Sequence, residues 1–164
     1  MKQHWMIEAE RHIGQKEIAG AKSNPWILNL WFKFVPWLGK PDDSAVPWCG
    51  TFIAHCLKNT GHVVPKAWYR ALAWLDWGQR IENPVVGCIV VFSRKGGGHV
   101  GFVVGKNRNG NLMVLGGNQG DAVAISAFDK NRVVGYRWPS DAMIPISVDL
   151  PLITIAGKLS ENEA

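Results

Sequence analysis

At 164 residues the chain is long enough for one domain with one core and too short for several. Hydrophobic residues make up 47 % and charged residues 19 %, which excludes a disordered chain. The formal charge of +5 draws a protein toward polyanions, but no lysine- or arginine-rich run and no nucleic-acid motif accompanies it. Neither nucleic acid nor membrane is therefore an expected partner.

Taken in chain order, the first five residues lead into a polar amphipathic stretch rather than an apolar leader, so no secretory signal is expected. Trp5, Ile7, Ala9, Ile13 and Ile18 lie among charges and predict a first helix within residues 3–19, ending near Gly14 or Gly20. Asn24-Pro25 marks a turn, and residues 26–34 predict a second short helix. The apolar run 26–38 is broken by Asn29, Lys33 and Pro36 and falls short of the roughly 20 residues a membrane span needs. Residues 36–47, with three prolines and two aspartates, predict a loop.

A third helix follows. Pro47 suits its first turn, Asp43 or Ser44 its cap, and Gly61 the position just past its end. Cys49, Phe52, Ile53, Cys56 and Leu57 recur at helical spacing along one face. A shorter helical piece is expected over 71–77. From residue 84 the period shortens. Runs at 88–92, 100–104, 112–115, 123–126 and 133–138 are rich in β-branched and aromatic residues and are separated by turn signals, of which Asn107-Arg108-Asn109-Gly110 is the strongest. Helices followed by about five antiparallel strands in a meander predict an α+β domain over residues 1–140. Residues 141–164 form a C-terminal extension, with 158–164 expected to fray.

Nine tryptophans stand out. For each, a place in the core is the simplest reading, and a groove that binds sugar and peptide is the alternative. The three cysteines cannot all pair. Cys49 and Cys56 would lie about 10 Å apart along a helix, too far for a disulfide, and no C-x-x-C pattern suggests structural zinc.

Cys49, at a helix start, sits where the positive end of the helix lowers a thiol pKa, whereas Cys56 and Cys88 read as core. A thiolate nucleophile needs a base, and the base needs an orienting group. Among the histidines, His4 and His12 read as surface residues, His55 points away from Cys49, and His62 suits the carbonyls at a helix end. His99 opens a strand after three glycines and is the candidate base. Asn118, ending the strand after the 107–110 hairpin, comes alongside it and can accept from its ring, with Gln119 as the neighbour that serves instead. Asn118 also suits a left-handed turn position.

Trp48-Cys49-Gly50-Thr51-Phe52, Gly98-His99-Val100-Gly101-Phe102-Val103, Leu115-Gly116-Gly117-Asn118-Gln119 and Gly135-Tyr136-Arg137-Trp138-Pro139 follow one another in suitable order. With them the chain resembles the CHAP and NlpC-type cysteine peptidases from about residue 8 to 139. It is most similar to a phage-associated subgroup with a Gly-Gly-Asn-Gln element and an N-terminal Gly14…Glu17-Ile18…Gly20…Asn24-Pro25 element. The resemblance implies a papain-like core with the cysteine helix packed on an antiparallel sheet. It also implies hydrolysis of an amide bond in the stem peptides of peptidoglycan, without metal or other cofactor.

By motif position Cys49 is the nucleophile, His99 the base and Asn118 the third polar residue. Trp48, Glu17 and Gln119 are candidates for contact with substrate. Gly116 departs from the pattern, because many members carry a glutamate there, so Asn118 orients His99 alone or with help from another group. The expected biology is a phage endolysin, monomeric, made in the cytoplasm and released to the wall through a holin. The alternatives are an injected amidase effector with a partner immunity protein, a silent wall-binding module, and an acyltransferase on the same scaffold.

Overall fold

From residue 79 onward the chain builds one six-stranded sheet with every pairing antiparallel. A computed structural model describes residues 2–20, 22–32, 46–146, 149–155 and 160. Three α-helices come first: α1 (His4–Glu10), α2 (Pro25–Phe32) and α3 (Cys49–Asn59). A 3-10 segment (Ala71–Asp76) leads into β1 (Gln79–Ile81), β2 (Ile89–Arg94), β3 (Gly97–Lys106), β4 (Leu112–Gly116), β5 (Ala124–Phe128) and β6 (Val133–Trp138). The sheet order is β1-β6-β2-β3-β4-β5. The domain is α+β and papain-like, as expected, but with six strands rather than five. It is a meander only from β2 to β5, since β6 returns to insert between β1 and β2.

The core runs through α3 and the central strands. Cys88 to Phe92 are all at most 1 % exposed. Successive strand residues point to opposite faces, so both faces of β2 are covered. α3 packs on β3 and β4 and receives α1 and α2. Its residues 49–57 are buried all round, not along the single face the periodicity suggested. Phe52, Ile53 and Leu57 are fully buried, each contributing about 1.5–3 kcal/mol.

Local chemistry sets the helix ends. Pro25 opens α2, and Asn24 Oδ1 caps it by accepting from the Trp26 amide at 2.9 Å. α3 ends as expected at Gly61 (φ +90°): the amides of Gly61 and His62 donate to Lys58 and Leu57 carbonyls. Its start differs from expectation. Pro47 lies before the N-cap Trp48 rather than in the first turn, and Asp43 and Ser44 fall outside the described residues. α1 stops at Glu10, well short of the 3–19 stretch, because residues 14–17 are drawn into extended pairing with 121–123. Gly14 N donates to Val123 O, Val123 N to Gln15 O and Glu17 N to Asp121 O.

Seven of the tryptophans, at 5, 31, 48, 68, 74, 77 and 138, are buried, and Trp26 is partly so. Their indoles lace the loops together: Trp5 donates to Gly87 O, Trp74 to Trp68 O and Trp77 to Val63 O. Trp37 lies outside the described residues. Beyond β6, residues 149–155 dock beside β3. Lys106 N donates to Pro151 O, and Ile153 N to Lys106 O. Of the stretch expected to fray, only Ser160 is described, and its amide donates to Ala127 O. No helix among the described residues is long and apolar enough to cross a membrane.

Candidate active site

Cys49 is the first residue of α3, where backbone amides lack intrahelical acceptors. The backbone amides of Val100, the residue after His99 on β3, and of Gly50 lie near its thiol, and α3 packs on β3. These amides, with Arg94 nearby, favour the thiolate. Burial outweighs them and pushes the thiol above its ordinary value, the reverse of the lowering expected from the helix end alone. All three cysteines are free and buried. Burial also lifts Cys56 well above, and Cys88 to about 12, as suits two inert core thiols.

His99 is the third residue of β3, paired with Phe92 of β2 and 1 % exposed. Its ring stacks on Phe128 at 5.2 Å with an interplanar angle of 8°. Nε2 lies 3.0 Å from Gln119 Oε1. The Gln119 amide nitrogen donates to Val114 O at 3.0 Å and Ala124 O at 2.7 Å. A nitrogen facing two carbonyls can only be the donor end, so the end facing His99 is the acceptor oxygen. Nε2 must then carry the hydrogen, which leaves Nδ1 with its lone pair as the basic nitrogen.

Gln119 thus holds the ring position that strand geometry assigned first to Asn118. Asn118 adopts a left-handed conformation (φ +58°) and provides the turn that carries Gln119 inward. Space is cleared by two glycines. A Cβ on Gly116 would stand 2.5 Å from Gln119 Oε1, and one on Gly101 would stand 2.4 Å from Val114 Cγ1 and 3.6 Å from Oε1. The absence of a side chain at 116 is what lets the glutamine three positions past the end of β4 reach the ring. Gln119 is 2 % exposed with both ends engaged, so it does not present itself to a substrate.

Trp48 and Glu17 also differ from a role in substrate contact. Trp48 is fully buried, and its indole N–H donates to Glu17 Oε1 at 2.7 Å. The carboxylate acts as a strut beneath the nucleophile. The 14–17/121–123 pairing fastens that strut to the loop bearing Asn118 and Gln119. Gly117 lets this loop lie against the Trp48 ring, with a Cβ there only 2.6 Å from the ring edge.

A cleft of about 530 Å³ opens over Cys49, lined among others by Tyr69, Arg70, Leu72, Asp76 and Arg94. Sequence reading missed Arg70, Arg94 and Asp76, whose only signal is charge near the 3-10 segment and at a hairpin.

The fold is thus papain-like, with a thiol at the start of the helix that packs on the strand carrying a tautomer-fixed imidazole. The CHAP domain family model matches residues 41–118, just under half of the chain, from before α3 through Asn118, so the chain is similar to CHAP domains over that stretch. No curated protein matches the chain.

Proposed function

We propose that the chain is a peptidoglycan hydrolase that cuts an amide bond in the stem peptide by Cys49–His99 chemistry. The observation that carries this reading is the His99 ring, its Nε2 tied to Gln119, on the strand against which the helix begun by Cys49 packs. The match to the CHAP domain directs it to the cell wall.

Because burial favours the neutral thiol, His99 Nδ1 takes the thiol proton as Sγ attacks the carbonyl carbon. The amide N–H of Cys49, at the first helical position, faces the oxyanion that forms. The imidazolium then protonates the leaving amine, and the acyl group stays on sulfur as a thioester. Water, deprotonated by His99, releases the acid and restores the thiol. Arg70 and Arg94 in the cleft suit the free carboxylates of acidic stem peptides.

At the finer level we read the chain as a phage endolysin, supported by the Gly-Gly-Asn-Gln element and acting on the wall after holin-dependent release. Mass spectrometry of soluble products from Gram-negative peptidoglycan tests the reading. Fragments with a new amine and a new carboxylate are expected, their masses naming the bond. Intact stem peptides after prolonged incubation with folded, reduced protein would overturn it.

A further inference from the structure

Away from the cleft, three ligating side chains converge between α1 and α3. Glu8 lies on α1, His12 in the turn that follows it and His55 on α3. One oxygen, Glu8 Oε1, stands 3.3 Å from His12 Nε2 and 3.7 Å from His55 Nε2. The three candidate ligand atoms all lie within 4.8 Å of one another. A tetrahedral zinc ion with bonds of about 2.0–2.1 Å holds its donor atoms roughly 3.3 Å apart. One edge of the triangle already has that length, and the second is within about half an ångström of it.

The donors are also pre-oriented. Trp26 packs on both imidazoles, with centroids 4.7 Å from His12 and 5.9 Å from His55. The side chains of Glu8, His12 and His55 are only 15 %, 18 % and 11 % exposed. Arg11 Nη1 sits 3.3 Å from the other carboxylate oxygen, Oε2, leaving Oε1 to the histidines. Asn59 Nδ2 reaches Glu8 Oε1 at 2.9 Å and His55 Nε2 at 3.0 Å, so rotation of its amide would offer Oδ1 as a fourth donor. The Asn59 hydrogen bond, more than any other cause, holds the Glu8 carboxyl below its ordinary value.

We propose that Glu8, His12 and His55 form a binding site for one zinc-type divalent transition-metal ion, which clamps α1 to α3. Two imidazole nitrogens and one carboxylate oxygen are donors that zinc accepts readily. The site lies about 9 Å along the α3 axis from Cys49, so the ion braces the nucleophile helix and takes no part in chemistry there. Sequence spacing held half of the signal, Glu8 and His12 being four apart. The other half is tertiary.

The test uses the full chain bearing Cys49→Ala, which removes the thiol that opens to the cleft. Zn²⁺ titration by calorimetry, with native mass spectrometry for stoichiometry, is expected to show one ion per chain and a rise in Tm. In the same background His12→Ala and the near-isosteric Glu8→Gln should each weaken binding roughly 10-fold or more and lose the Tm rise. Circular dichroism verifies that they fold. No stoichiometric binding, or equal affinity in both variants, would overturn the site and leave the cluster a hydrogen-bond network only.

Discussion

A glutamine amide has a donor end and an acceptor end, and at position 119 the surroundings tell them apart. The two carbonyls on its nitrogen leave its oxygen for His99, and the tautomer of the base follows. Gln119 is a positioning residue. In Gln119→Ala, kcat for peptidoglycan cleavage should fall on the order of 100-fold, with KM little changed. Stability should drop by about 1–3 kcal/mol for the two carbonyls left without a donor. A fall in KM affinity with kcat intact would contradict this role. Gly116→Ala should mimic the kinetic defect, since its Cβ would collide with an Oε1 that cannot swing away.

The thiol makes a second prediction. Burial raises the Cys49 pKa, so the thiolate fraction at neutral pH is small and grows as pH rises. The rate of iodoacetamide alkylation at Cys49 in the free protein should still be climbing at pH 9. A plateau reached below pH 7 would show a preformed ion pair instead.

The glycines at the two ends of α3 have different tasks, which sort by severity. A Cβ at Gly50 would stand 2.4 Å from the Trp68 carbonyl oxygen, a backbone atom that cannot move without its chain. Gly61 has open space around it and only its φ of +90° to protect. Thermal unfolding should therefore show Gly61→Ala costing about 1 kcal/mol and Gly50→Ala several times more, with the 67–70 segment displaced and the cleft deformed. Equal losses would contradict that ranking.

The elements also show what sequence could disclose. The strands at β2 to β6 were legible because β-branched and aromatic residues cluster there between turn signals. β1 was not, since Gln79-Arg80-Ile81 has a polar majority and is a strand only through β6. The helical pattern past Glu10 was genuine but lost to pairing with residues 121–123, a partner more than a hundred positions away. Cys49 stands at the start of α3 as the sequence suggested, whereas His99 is the third residue of β3, which takes in Gly97 and Gly98 that read as turn. The choice between Asn118 and Gln119 turned on a single left-handed residue, and the roles of Glu17 and Trp48 on a hydrogen bond across 31 positions. His62 was expected at helix carbonyls, yet its ring pairs with Asp141 at 2.8 Å, and His12 was expected on the surface, yet it packs on Trp26.

Across the whole molecule, the C-terminal segment is tied to the sheet that carries the base. Pro151 and Ile153 pack where Gly105 offers no side chain, a Cβ there being 2.5 Å from Pro151 O. Removing residues 149–164 should lower Tm by a few degrees, about 2–4 °C per kcal/mol lost at this size. Cleavage by the shortened chain should persist, because the Cys49–His99–Gln119 arrangement lies elsewhere. Abolished cleavage with an unchanged Tm would point to a part in the reaction instead.

One measurement bears on the central claim most directly: release of soluble fragments from purified peptidoglycan by the wild type, Cys49→Ala and His99→Ala, compared at equal folded concentration. Fragments from the wild type alone are the expected result, with both variants keeping the wild-type circular dichroism. Undiminished release by Cys49→Ala would contradict nucleophilic catalysis by this thiol.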